Sequence, residues 1–248
     1  MARSARNQSS TNIYHIILRG NNKQQIFLDA EDHTRFLNIV SEYKRRYDFM
    51  LLAYCLMGNH IHLLIKTDET PLSTIMKSIV VKFVYYYNVK YQRVGHLFQD
   101  RFKSEPVESE TYLLQVARYI HKNPIKAGIC ADYSDYRFSS YSEYFGKSVY
   151  ADTEFLFDII SLNNFKAFHE ENVDDKVMDI VENKIRVSDN AAIEIINKIY
   201  KRKAITNLPE MPRDVQINVA AELRNKGLSV RQISRLTGIS KKIAERSK

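Results

Sequence analysis

Two histidines one residue apart, His60 and His62, open the strand-like run Gly58-Asn59-His60-Ile61-His62-Leu63-Leu64-Ile65. On a strand, residues two apart project from one face and the residue between them from the other. Two imidazoles therefore share a face while Ile61 is free to enter a core, which makes half of a site for a divalent metal. The two cysteines offer no rival site: Cys55 and Cys130 have neither a CxxC spacing nor the density of a disulfide scaffold and read as free thiols in a reducing compartment.

The other half can come from Tyr119 and Asn123, four residues apart in a stretch from Ser109 to Asn123 that reads as a helix. Leu113, Val116, Ala117 and Ile120 form its core stripe, Ser109 is a fitting N-cap, and Glu110 suits the first turn. A tyrosine phenol can attack phosphorus and form a phosphotyrosine when a cation withdraws charge from the phosphoryl oxygens. An asparagine carbonyl one turn away could be a neutral oxygen ligand. Two nitrogens and an oxygen, with no thiolate, suit Mg²⁺ or Mn²⁺ better than structural zinc. Pro124 disfavours helical geometry at the residue before it, which sets Asn123 at the helix end. His121 follows Tyr119 by two, faces away from it, and reads as structural or DNA-contacting.

The elements that must position these groups follow from periodicity. Asn12 to Arg19 reads as a first strand, Asp29 to Tyr47 as a helix, Phe49 to Met57 and His60 to Lys66 as a hairpin across Gly58-Asn59, and Leu72 to Tyr91 as a long helix. An extended stretch from His96 to Val107 precedes the tyrosine helix. The order predicts an α+β fold, an antiparallel sheet with helices packed mainly on one face. The expected divisions are a first α+β domain at 1–150, an acidic helical connector at 151–207 with Leu208-Pro209-Glu210-Met211-Pro212 as a break, and an all-α segment at 208–248.

The net charge of +8 is unevenly spread. Residues 1–150 hold 20 Lys and Arg against 14 Asp and Glu (+6), residues 151–200 hold 5 against 11 (−6), and residues 201–248 hold 12 against 4 (+8). Two basic blocks around an acidic one predict polyanion-facing surfaces, with nucleic acid the expected partner. The candidate contacts are Lys77 and Lys82, with the Tyr85-Tyr86-Tyr87 run available for stacking or for core packing, and Arg101 and Lys103 before the tyrosine helix. No apolar run approaches the ~20 residues that span a bilayer, and the first ten residues have no apolar signal core. A cytoplasmic protein, nucleoid-associated when bound to DNA, is expected.

The segments from Gly58 to Ile65, from His96 to Ser104 (His-Leu-Phe-Gln-Asp-Arg-Phe-Lys-Ser) and from Arg118 to Gly128 (Arg-Tyr-Ile-His-Lys-Asn-Pro-Ile-Lys-Ala-Gly) together resemble the single-tyrosine HUH transposases. The resemblance spans about residues 10–146 and is to the REP-associated tyrosine transposase branch in particular. It implies a ferredoxin-like HUH nuclease core, with His60 and His62 as metal ligands, Tyr119 as nucleophile and Asn123 completing the metal site. The implied reaction cuts single-stranded DNA near hairpins, REP-like palindromes in that branch, retaining a 5′-phosphotyrosine and releasing a 3′-hydroxyl. Asp100 stands where the family often has glycine. Two other readings use the same residues: a DNA-binding regulator that no longer transposes, and a relaxase- or replication-initiator-type nicking enzyme. Monomer and homodimer are both open.

Ala220 to Lys248 resembles a helix-turn-helix, with Arg231 on its second helix and Ser240, Lys241, Lys242 and Arg246 on the recognition helix. That segment is expected to bind duplex DNA.

Overall fold

A computed structural model describes residues 7–171, 173, 175–179, 189–200 and 208–246. The chain divides into two compact units, Met1–Asp179 and Ile180–Lys248.

The first unit is built on four antiparallel strands, β1 (Ile13–Arg19), β2 (Met50–Met57), β3 (His60–Lys66) and β4 (Lys103–Pro106), in the order β2-β3-β1-β4. The expected hairpin at Gly58-Asn59 joins β2 to β3. Only four residues of the expected extended stretch from His96 to Val107 become a strand, at the edge beside β1. After β1 the chain turns sharply at Gly20, where a Cβ would lie 2.2 Å from the backbone oxygen of Gln24. The turn therefore requires glycine.

Helices cover both faces of the sheet, where packing mainly on one face was expected. Tyr14, Ile16, Leu18, Ile61, Leu63 and Ile65 point to α1 (Ala30–Tyr47) and α2 (Leu72–Lys90), where they pack with Phe36, Ile39, Ile75, Ile79 and Phe83. The opposite parity, Ile13, Ala53, Cys55, Met57 and Leu64, packs against Leu113, Val116, Ala117 and Ile120 of α3 (Glu110–Lys126). Strands apolar on both parities need cover on both sides. A register shift between Leu51 and Ala53 keeps both faces of β2 apolar.

The helix α3 runs three residues past its expected end, with Pro124 inside it. Proline has no N–H for the Ile120 carbonyl. The Asn123 side-chain amide donates instead to the carbonyls of Tyr119 (2.8 Å) and Ile120 (3.4 Å), so the turn closes without the missing bond.

The first unit does not end at residue 150. Two further helices, α4 (Glu154–Phe157) and α5 (Leu162–Glu170), place Leu156 and Phe165 in the core beneath α3. Arg118, 2% exposed, binds Asp175 through two nitrogens (2.6 and 2.8 Å), Glu171 (2.8 Å) and the Phe168 carbonyl (2.6 Å). The acidic stretch is thus partly an integral piece of the first unit.

In the second unit, α6 (Asp189–Ile199) contributes Ala192 and Ile196 to a core shared with α7 (Arg213–Asn225), α8 (Val230–Thr237) and α9 (Lys241–Arg246). The expected break at 208–212 lies inside this unit, with Leu208 buried in its core. A capping box from Ser229 to Gln232 starts α8, and Gly238 at φ +76° ends it, the left-handed position that favours glycine.

Candidate active site

The site forms on the α3 face of the sheet, where three histidines and a tyrosine meet. His60 and His62 project from β3 on the same side, their ring centroids 5.1 Å apart and nearly perpendicular. The Tyr119 ring lies 5.7 Å from that of His62. His15, on β1, completes the group at 5.4 Å from His62 and 5.9 Å from Tyr119. His62, His15 and Tyr119 are all buried, while His60 is half-buried.

Each of the two β3 histidines has its Nδ1 engaged. His60 Nδ1 lies 2.7 Å from Asn59 Oδ1, an acceptor, so this nitrogen carries the proton. His62 Nδ1 lies 3.1 Å from His15 Nε2. The Nε2 of His62 is fully buried without a hydrogen-bond partner. A bare buried nitrogen is uncommon unless a ligand is meant to meet it. Burial holds the His60 imidazole at a pKa of about 4, with Arg19 acting in the same direction and Asp179 opposing. Burial also holds His62 well below the usual histidine range, aided by repulsion from His15 and His60. Both rings are neutral at pH 7, the form that binds metal.

Asn123 lies one turn beyond Tyr119 and is largely buried. Its amide nitrogen is taken up by the helix carbonyls, which leaves Oδ1 as the atom able to act as a ligand. Among the described residues no group of three or more His, Cys, Asp and Glu side chains is arranged to hold a metal, so an amide or substrate oxygen would supply further donors. Lys126 Nζ lies 4.6 Å from the Tyr119 ring centroid.

The other expected contacts divide. Lys103 is exposed on β4 opposite Ile17, which is itself opposite His62, so it shares the histidine face. Arg101 is exposed just before it, and Asp100 is held in a local turn by accepting from the Arg101 N–H. Lys77 and Lys82 sit on α2, across the sheet from the histidines, and Lys82 is paired with Glu42. Of the tyrosine run, Tyr87 is core, Tyr86 donates to Asp32, and Tyr85 is 73% exposed. In the second unit Arg231, Lys241 and Lys242 are exposed.

Sequence reasoning missed His15 and Glu105. His15 was legible as the one histidine in the otherwise largely apolar strand Ile-Tyr-His-Ile-Ile-Leu-Arg. Glu105, its direct partner across β1 and β4, gave no such signal in its polar strand.

Residues 8–123 match the model of the family described as IS200-like transposase. That segment is similar to the IS200-like transposases. Among solved structures, the REP-associated tyrosine transposase bound to a REP hairpin is 19% identical with a TM-score of 0.52, covering 59% of this chain and 87% of that one. A protein of Deinococcus radiodurans R1 assigned as a candidate transposase is 18% identical with a TM-score of 0.35, covering 49% of this chain and 97% of that one. No curated protein matches. At such identities the first likeness is one of fold. Among the described residues no helix is long and apolar enough to cross a membrane.

Proposed function

We propose that the first unit nicks and rejoins single-stranded DNA near hairpins by the single-tyrosine HUH mechanism. The observation that carries this reading is the buried, unpartnered Nε2 of His62 beside the Tyr119 ring. His60 and His62 would hold a divalent cation, Mg²⁺ or Mn²⁺, through Nε2, with Asn123 Oδ1 as a third donor. When bound, that cation withdraws charge from the phosphoryl oxygens of the scissile phosphate.

Tyr119 Oη attacks phosphorus, the Tyr O–P bond forms, and the P–O3′ bond breaks. The phenolic proton passes to solvent, and the departing 3′ oxygen takes a proton to become a hydroxyl. Attack by a 3′-hydroxyl on the phosphotyrosine reverses the step and rejoins a strand. Lys103, exposed on this face, neutralises backbone phosphates, and Arg101, exposed just before it in the chain, is a further phosphate contact. The hairpin in the structural neighbour supports hairpin DNA as the partner. The helices carrying Arg231, Lys241 and Lys242, helix-turn-helix-like in sequence, would bind duplex DNA and raise the effective concentration of the nuclease at its target. Lys77 and Lys82 are no part of the proposed cleavage surface.

The test is incubation with labelled single-stranded hairpin DNA and Mn²⁺ or Mg²⁺. A covalent adduct that survives denaturation is expected, and Tyr119→Phe should lower its formation by on the order of 10⁴-fold or more. Adduct formation by the phenylalanine variant at the wild-type rate would remove Tyr119 as nucleophile.

A further inference from the structure

The hydrogen-bonded chain behind His62 leads away from the proposed metal position. His15, 0% exposed, places Nε2 3.1 Å from His62 Nδ1. Its own Nδ1 makes no hydrogen bond and faces Glu105 Oε2 at 4.0 Å, ion-pair range beyond a direct hydrogen bond. The backbone register sets His15 directly opposite Glu105. Glu105 is fixed in turn by the Tyr112 hydroxyl (2.8 Å) and the Met178 N–H (3.1 Å), both donating to the same Oε2.

Only one proton arrangement lets this chain end usefully. A carboxylate favours a proton on the nearer nitrogen of His15, Nδ1, which leaves His15 Nε2 a lone pair. His15 Nε2 must then accept from His62 Nδ1–H, and His62 Nε2 becomes a lone pair. The reverse arrangement would put a proton on His62 Nε2, a donor buried with nothing to receive it, and would direct the proton of His15 away from Glu105. We infer that His15 is a positioning residue which, oriented by Glu105, fixes the tautomer and ring angle of His62 so that Nε2 stays free for metal. This rests on the metal reading above. Carboxylate and imidazole partners behind a metal-bound histidine have this effect in general, and their loss weakens metal affinity by about 10–100-fold.

The full chain serves for the test, with Mn²⁺ binding followed by electron paramagnetic resonance and the His62 tautomer read from ¹⁵N shifts of the metal-free protein. Wild type should show His62 protonated at Nδ1. His15→Phe, which keeps a ring but no acceptor, should weaken Mn²⁺ binding about 10–100-fold and mix the tautomers. His15→Gln, whose carbonyl can accept from Nδ1–H, should recover most of the affinity. Glu105→Gln, at a half-exposed position that leaves the core intact, should weaken binding by a smaller factor and decides the matter if His15→Phe does not fold. Wild-type affinity in a folded His15→Phe, or in Glu105→Gln where that variant decides, overturns the proposal, as does a His62 proton on Nε2. If wild type binds no Mn²⁺ that His60→Ala removes, the metal reading falls and this role with it, while an Nδ1–H tautomer would still mark the geometry as sound.

Discussion

Two histidine chains lie on or beside α3, and they end differently. In one, the Ser140 hydroxyl donates to His121 Nε2 (2.8 Å), His121 Nδ1–H donates to His169 Nε2 (2.9 Å), and His169 Nδ1–H donates to the Phe165 carbonyl (2.8 Å). The Tyr54 N–H donates to Ser140 Oγ as well (2.9 Å). Every imidazole nitrogen in that chain is satisfied by protein, and one direction of protons satisfies them all. In the other, Glu105, His15 and His62 lead to a nitrogen that protein leaves bare. His121 and Tyr119 are two apart on one helix, so a single element divides its faces between the two. The closed chain is expected to act through stability and the open one through ligand binding.

The largest effect that would test this contrast is on the ion cluster beside the closed chain. Arg118→Ala would leave Asp175, itself 8% exposed, without its partner. Breaking a buried pair from one side costs about 3–5 kcal/mol, measured by urea denaturation, and a loss below about 1 kcal/mol would show the cluster to be ornamental. Next come matched ring replacements. His121→Phe strands His169 Nε2, leaves the Ser140 hydroxyl the Tyr54 carbonyl (3.3 Å) as its acceptor, and should cost about 1–3 kcal/mol with Mn²⁺ affinity of the folded protein unchanged. His62→Phe should abolish Mn²⁺ binding at a stability change of about 1 kcal/mol or less, because deleting one orphan nitrogen offsets the orphan it creates at His15. Equal stability losses in the two variants would erase the distinction.

The smallest effect is on pH dependence. Burial, aided by Arg118, holds His169 at a pKa of about 4, while the Phe165 carbonyl and Asp175 oppose. Unfolded, the ring titrates near 6.5, so between those values the unfolded chain binds more protons and stability rises with pH. The contribution is complete above about pH 6.5 and is lost as pH falls toward 4, on the order of 2 kcal/mol by pH 5. His169→Phe should lower the slope of that part of the stability profile, to which the other buried histidines also contribute, and an unaltered slope would refute the assignment.

Much of the first unit was readable from spacing. Alternation placed His60 and His62 on one strand face, and helical periodicity placed Tyr119 beside a core stripe. The two-sided sheet was less legible because Ile13, Tyr14, Ile16, Ile17 and Leu18 are all buried, and a run without alternation does not announce which helices cover which side. The helix end was misplaced by a local rule: Pro124 should stop α3, and only the tertiary position of the Asn123 amide shows how it does not. Lys77 and Lys82, expected to contact DNA, lie across the sheet from the histidines, a placement that a count of charges along the chain does not give. The acids at 171 and 175 read as solvated connector because a partner 53–57 residues earlier leaves no trace in local sequence.

The clamp on Arg118 also bears on how such a chain can be cut and rejoined by an engineer. The family match stops at residue 123, yet the residue before the candidate nucleophile is anchored at Glu171 and Asp175, and Met178 still secures Glu105. A graft that exchanges the C-terminal helices for another module should therefore be joined after Asp179. A junction in the aromatic segment near 146 would sever α3 from the counter-ions of its Arg118.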